Sequence, residues 1–283
     1  MHDLRAPLVG RREVARAMWV LSFEAAAIAR EVRAGQFVNL LLRPGPMLRR
    51  PFSVYRVDHE VVEVVLKAVG EGTRMLLELE QGDHVSMLGP LGCGFSFDAE
   101  AGSVALVSGG LGVAPRPLAA WEAQELGMTV HWVHGARTAD ELCREWEGDH
   151  AWWATDDGSL GRAGSVLDAV PDDVGQVLGC GPNRMLAALA QRWPAAQVSV
   201  ETYMGCGTGV CLGCAVPRAS GVYDRACREG PVYEATSIRW DELPTDLHYS
   251  HTEEPVQPPE HQFLPSPSRH PIPSPLQGAL GRG

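Results

Sequence analysis

One stretch constrains this chain more than any other: Cys206-Gly-Thr-Gly-Val-Cys211-Leu-Gly-Cys214, answered twelve residues on by Cys227. Four of the seven cysteines fall within 22 positions, in the pattern C-x4-C-x2-C-x12-C. Thiolates are soft ligands, and four converging on one site suit zinc or an iron–sulfur cluster. Structural zinc usually takes its cysteines as two C-x2-C pairs. Here three come from one glycine-rich loop, close to the plant-type ferredoxin spacing. Gly205, Gly207, Gly209 and Gly213 keep that loop free of Cβ bulk, so backbone amides can point at sulfides. The spacing favours [2Fe–2S] over zinc.

Cysteine-rich, without an N-terminal apolar run or a stretch of about 18 apolar residues, the chain reads as cytoplasmic, with no membrane partner. A formal charge of -11 argues against nucleic acid as the main partner. Cation charge is nearly all arginine; the one lysine, Lys67, gains no special standing from that. A length of 283 residues accommodates two ordinary domains.

Residues 1–99 read as short strands with glycine and proline turns, among them Met18–Phe23, Gln36–Leu42, Val61–Lys67 and His84–Leu88, with one helix near Gly72–Glu80. That pattern predicts a small antiparallel β-barrel closed by a tight turn at Gly89–Gly92. Inside it, Arg50-Pro51-Phe52-Ser53-Val54-Tyr55 supplies an arginine, a fixed backbone, a hydroxyl and an aromatic. It reads as a cradle for a phosphate and a flat ring, or equally as an edge strand with a core Phe52. Gly70, Gly72 and Thr73, before a helix start, expose amides to a pyrophosphate or form a plain turn.

From residue 100 to 197 strand and helix alternate: Val104–Ser108, a helix to Gln124, Thr129–His134, a helix near Thr138–Trp146, Trp152–Thr155, Gln176–Gly179 and a helix Asn183–Gln191. This predicts a parallel sheet flanked by helices, with ligands beyond the strand C-termini. The loop Gly109–Pro115 is not the G-x-G-x-x-G fingerprint, but its small residues let a dinucleotide approach a helix N-terminus. Cys180 reads as a buried thiol or a neighbour of a nicotinamide. No acidic residue is assignable to a ribose hydroxyl, which leaves NAD against NADP open. Residues 198–240 form a small appendage around the cysteines, with strands Val198–Tyr203, Gly221–Tyr223 and Pro231–Tyr233. Residues 241–283, with nine prolines from Pro244 to Pro275, read as a disordered or extended tail.

A nicotinamide exchanges two electrons at once and an iron–sulfur cluster one, so a chain holding both needs a converter, usually a flavin. With no organic-substrate pocket or acid/base pair legible, the electrons pass to or from a partner. The motifs Gly35-Gln36-Phe37, Arg50-Pro51-Phe52-Ser53, Gly70-Glu71-Gly72-Thr73, Gly109-Gly110-Leu111-Gly112-Val113-Ala114-Pro115, Gly179-Cys180-Gly181-Pro182 and the four-cysteine segment ending Cys227-Arg228-Glu229-Gly230-Pro231-Val232-Tyr233 carry a resemblance. From Leu8 to Trp240 the sequence resembles electron-transfer subunits of the NAD-dependent dihydroorotate dehydrogenases, a branch of the ferredoxin–NADP reductase superfamily.

The resemblance implies that Arg50, Pro51, Phe52 and Ser53 contact FAD, with Ser53 near its N5 atom, and that Gly70, Gly72 and Thr73 meet its pyrophosphate. It places Gly110 and Gly112 at the pyridine nucleotide, Cys180 toward the nicotinamide, and Cys206, Cys211, Cys214 and Cys227 on a [2Fe–2S] cluster. Ser53 and Cys180 are thus the candidate catalytic residues. The implied partner is an FMN-containing subunit that oxidises dihydroorotate in pyrimidine biosynthesis, two copies of each subunit assembling, with NAD as final acceptor. Ala34 departs from the family's usual proline, and the Pro-rich extension is atypical. A subunit of a ferredoxin-linked NADP oxidoreductase or a sulfhydrogenase shares the same plan. A zinc-stabilised adaptor is the non-enzymatic alternative.

Overall fold

The protein is described from a computed structural model over residues 1–145 and 150–245. Six antiparallel strands close a barrel in the order β1-β2-β5-β4-β3-β6. They are β1 His2–Ala15, β2 Met18–Glu24, β3 Phe37–Leu41, β4 Arg50–Asp58, β5 Val61–Lys67 and β6 His84–Leu91. Strand alternation sends Val38 and Leu40 of β3 and Phe52 and Val54 of β4 into the barrel core. A one-turn helix, α1 (Ala26–Ala29), and α2 (Glu71–Glu78) cover its ends.

Closure depends on β1, whose first half (His2–Pro7) pairs with β6 while its second half pairs with β2. That first half alternates half-buried and exposed positions, which is why a polar N-terminus turns out to be a strand. The expected turn at Gly89–Gly92 is mostly strand: β6 continues through Leu91, pairing Gly89 with His2 and Leu91 with Phe37. The chain turns only at Gly92, with φ +72°.

The second sheet runs β10-β9-β8-β7-β11-β12-β15. Its strands are β7 Ser103–Gly109, β8 Thr129–Ala136, β9 Ala151–Thr155, β10 Arg162–Ala163, β11 Gln176–Cys180, β12 Gln197–Ser199 and β15 Val232–Glu234. All neighbours pair in parallel except β15, which adds antiparallel at the edge. Helices α3 (Arg116–Glu125) and α4 (Asn183–Arg192) flank it. The chain leaves β7 for β8 on one side and returns to β11 on the other. The crevice between the C-terminal ends of β7 and β11 is therefore the topological switch point.

Three local expectations differ. The segment Thr138–Trp146 is not helical over its described part: Ala139–Glu141 is a single 3-10 turn and Leu142 is extended. Contacts to the barrel stretch it, from the Arg16 amide to Asp140 O (2.8 Å) and from the Tyr55 hydroxyl to Glu145 (3.0 Å); Trp146 lies outside the described residues. The strand expected over Val198–Tyr203 ends at Ser199. There the Asn183 carboxamide takes both the carbonyl and the amide of Glu201 and draws the chain off the sheet. The boundary at Asp241 also falls short, because Leu243 is buried in the second core and Pro244 O accepts from Asn183. The rest of the expected tail, from residue 246, lies outside the described residues.

The appendage has no core of its own. Strands β13 (Ala215–Pro217) and β14 (Tyr223–Arg225) form a two-stranded ribbon. Cys214, Val216, Ala226 and Cys227 pack with Val198 and Tyr233 into the core on one face of the nucleotide-type sheet.

Candidate functional site

A cavity of about 360 Å³ opens between the barrel and the switch point. The barrel side contributes Arg50, Pro51, Phe52 and Ser53 of β4, Lys67 of β5, and Gly70, Gly72 and Thr73 at the start of α2. The opposite wall holds Gly112 and Cys180, with Ser199 to Thr202 and Met204 leading to the cysteine loop. Residues as far apart in sequence as Phe37 and Pro231 thus share one space. Gly110 lies just beyond this wall at φ +53°, with nothing within 4 Å of where a Cβ would stand.

Within β4, alternation separates the motif. Phe37 pairs with Ser53 and Asn39 with Pro51 on the outer face, while Phe52, opposite Val38, turns into the barrel core. Phe52 therefore presents only part of itself to the cavity. At the head of α2, the Thr73 hydroxyl accepts from the Val69 and Gly70 amides (2.9 and 3.0 Å) and donates to Gly70 O. Thr73 thereby ties the turn shut. The first-turn amides of Glu71 and Gly72 have no carbonyl one turn back. Arg50 lies against Gly72, where a Cβ would sit 3.4 Å from its Nε, and its Nη1 donates to Leu48 O (2.8 Å). A guanidinium beside a helix N-terminus is a fit for a phosphate group.

Across the cavity, Gly112 has an internal reason to be glycine. A Cβ there would stand 2.1 Å from Cys180 O, so the loop and the end of β11 touch backbone to backbone. The Cys180 thiol is pushed up to about 12, first by burial and then by the Glu201 carboxylate, against a hydrogen bond with Ser199. It is a neutral S–H at physiological pH, suited to pack against a ring rather than to attack.

The four cysteines form no disulfide, and their contacts link them as two pairs, Cys206 with Cys211 and Cys214 with Cys227. Cys214 and Cys227 are buried with their sulfurs 3.3 Å apart. Cys206 Sγ accepts from the Thr208 and Cys211 amides at 3.4 Å each, and Cys211 Sγ accepts from the Gly213 amide at 3.5 Å. Burial alone would push the Cys206 thiol up, but those amides outweigh it and hold it down at about 5. Cys227 is pushed up to about 12 by burial and by its neighbour Cys214. Gly207 and Gly209, at φ +68° and +85°, turn the amides inward. The soft donor set with N–H···S bonds fits a thiolate-bound cluster, while among the described residues no three His, Cys, Asp or Glu side chains are gathered around one ion point. Cys211 is exposed, flanked by Val210 (81% exposed) and Leu212 (63%).

Sequence reasoning gave no special standing to Lys67, which lines the cavity 3.8 Å from Glu141. It also passed over Asn39, whose signal was a single polar residue in the apolar run Phe37–Leu42.

The chain matches known proteins in both sequence and fold. A sequence family described as the iron–sulfur cluster binding domain of dihydroorotate dehydrogenase B matches residues 201–239. A dihydroorotate dehydrogenase B (NAD(+)) electron transfer subunit from Geobacillus thermodenitrificans is 35% identical over 252 residues, spanning 83% of this chain and 97% of that protein. The like-named subunit from Clostridium acetobutylicum is 37% identical over 218 residues, 74% of this chain and 87% of its own. Among solved structures, one of the NADH-dependent reduced ferredoxin–NADP oxidoreductase superposes with TM-score 0.76 at 28% identity, over 84% of this chain and 91% of that one. Phthalate dioxygenase reductase shares the fold, with TM-score 0.57 at 18% identity over 84% and 95% of the two chains.

Proposed function

The chain belongs to the family of dihydroorotate dehydrogenase B electron-transfer subunits, and we propose that it carries electrons from a dihydroorotate-oxidising FMN subunit to NAD. It is the electron-transfer member of such a pair and not the subunit that binds dihydroorotate. One observation supports the residue assignments above others: a single cavity gathers Arg50 to Ser53, Gly70 to Thr73, Gly112 and Cys180 beside the cysteine loop.

A bound FAD converts the two-electron exchange of a nicotinamide into the single-electron exchange of a [2Fe–2S] cluster. Arg50 and the first-turn amides of α2 hold its pyrophosphate charge. Pro51 and Ser53 would contact its ring system, and the neutral Cys180 S–H would face the nicotinamide without adding charge. Gly110 and Gly112 leave room for the pyridine nucleotide at the switch point. Cys206, Cys211, Cys214 and Cys227 hold the cluster, and the loop amides carry part of the negative charge on its sulfur ligands. The exposed apolar pair Val210 and Leu212 beside Cys211 forms the contact for the partner subunit. The assembly contains two copies of each subunit and works in the cytoplasm; among the described residues no helix is long and apolar enough to cross a membrane.

Anaerobic titration of the native complex with dihydroorotate, followed by NAD, tests this. Bleaching of the flavin and cluster bands, then NADH formation, is the expected result. The likeness to the ferredoxin–NADP oxidoreductase structure supports a second reading, a subunit of a ferredoxin-linked enzyme. A coloured complex inert to dihydroorotate but reduced by NADPH would establish that reading instead.

A further inference from the structure

Strand β3 carries an unusual residue. Asn39 is 1% exposed in an otherwise apolar run, Phe37-Val38-Asn39-Leu40-Leu41. Its backbone carbonyl accepts from Arg49, which is itself paired with Asp3. Its side-chain Nδ2 donates to the carbonyl of Cys206 at 3.2 Å. Its Oδ1 is buried without a hydrogen-bond partner. Burying a half-satisfied carboxamide is costly, and an apolar residue would pack here without that cost. The contact with the cysteine loop is what the residue gains.

The loop is shaped to receive it. Gly207 sits at φ +68°, and a Cβ on it would stand 2.0 Å from Asn39 Nδ2. Only glycine brings the chain this close. On the barrel side, Phe37 and Asn39 point to the same face of β3, opposite Ser53 and Pro51 of β4 respectively. Phe37, Pro51 and Ser53 all line the flavin cavity. Two residues along a strand span about 6.6 Å. One strand face thus runs from the cavity wall to the first cysteine of the cluster motif.

We infer that Asn39 is the positioning residue between the two redox centres, its carboxamide fixing Cys206 to the strand face that lines the flavin cavity. The inference rests on the cluster and flavin reading given above. The Asn39 donor draws electron density from the Cys206 peptide and holds the loop at fixed distance from β4. It therefore sets both the potential of the cluster and the rate at which electrons cross between it and the flavin. Asn39 touches no reacting atom and acts through Cys206.

The full chain, purified with its flavin and iron, tests this as wild type and as Asn39→Ala, Asn39→Asp and Asn39→Ser. Iron, labile sulfide and FAD contents come first, since a wild-type chain without iron and sulfide would overturn the cluster reading and the inference with it. The decisive readouts are the midpoint potential and electron paramagnetic resonance spectrum of the reduced cluster, and its rate of appearance after mixing with NADH. Asn39→Asp, nearly isosteric but an acceptor bearing negative charge against the Cys206 carbonyl, is expected to lower the potential of whatever cluster is retained. Asn39→Ala is expected to slow cluster reduction while leaving NADH-to-dye transfer unchanged, and to release iron to a chelator about tenfold faster. Asn39→Ser, which keeps a donor, should recover part of both. If Asn39→Ala loses its iron during purification, the Asp and Ser variants decide. Iron-loaded variants with wild-type potential, spectrum and rate of cluster reduction would overturn the inference.

Discussion

Replacing Gly70 with alanine separates a cofactor contact from a structural one, because the protein itself has no objection to the methyl group. Gly70 sits at φ -170° and ψ 175°, an extended conformation open to any residue. Nothing lies within 4 Å of the position its Cβ would take. The apoprotein therefore loses only the preference for glycine over alanine at a helix N-cap, about 1 kcal/mol or less. For a chain of this size that lowers the melting temperature by about 2–4 °C. If the FAD pyrophosphate rests on the amides of this turn, the same methyl intrudes on it. Such intrusion into a filled site costs about 1–3 kcal/mol, which is about 5- to 150-fold in dissociation constant. The assay is fluorescence titration of apoprotein with FAD, paired with melting curves of the same preparations. Affinity within about twofold of wild type, with an apoprotein as stable as estimated, would refute the placement of the pyrophosphate on the head of α2.

Three further outcomes are expected. Gly112→Ala should do the opposite of Gly70→Ala: its methyl would meet Cys180 O at 2.1 Å, so apoprotein melting should fall well beyond the cap effect before any ligand is added. Cys211→Ser replaces a soft ligand with a hard one at the exposed edge of the cluster loop, and iron and sulfide should be lost while NADH still reduces an artificial dye; full iron content with normal transfer to the partner would exclude Cys211 as a ligand. His134 is held down at about 3, first by burial and then by the Arg116 charge, against an ordinary value of 6.5. The unfolded chain takes up that proton first, so its contribution is complete above pH 6.5 and drains away toward pH 3. Melting temperature should accordingly fall less steeply with acid in His134→Gln than in wild type.

What the sequence discloses follows from how far apart the interacting residues lie. The cysteine spacing is local, and four cysteines within 22 positions suggest a ligand set without any neighbours. The β4 motif and the head of α2 are likewise short segments, but each reads in isolation equally as an edge strand or a plain turn, and only the cavity they share sets them together. β1 is not local: its first half becomes a strand by pairing with β6, some 80 residues away, and its alternation of Leu4, Ala6 and Leu8 with Asp3 and Arg5 is too short to declare a strand alone. The segment after β8 carries helix-compatible residues, yet the barrel captures Asp140 and Glu145 and stretches it. β15 reads locally as part of the cysteine appendage but completes the nucleotide-type sheet through β12.

Asn39 shows where such reading stops. A lone polar residue in an apolar strand is visible in the sequence, but its partner is a backbone carbonyl 167 positions away, and a carbonyl has no residue identity to betray it. The complementary mark is Gly207, which sequence reasoning assigns to the amides that face the sulfides. Its left-handed backbone serves that purpose, while its missing Cβ serves Asn39. One glycine meets two constraints, and only the second links the cluster loop to the barrel strand. The pair Asn39–Gly207 joins the barrel strand to the cysteine loop, and on the proposed reading a change at either residue should be felt in both the loop geometry and the electron transfer that depends on it.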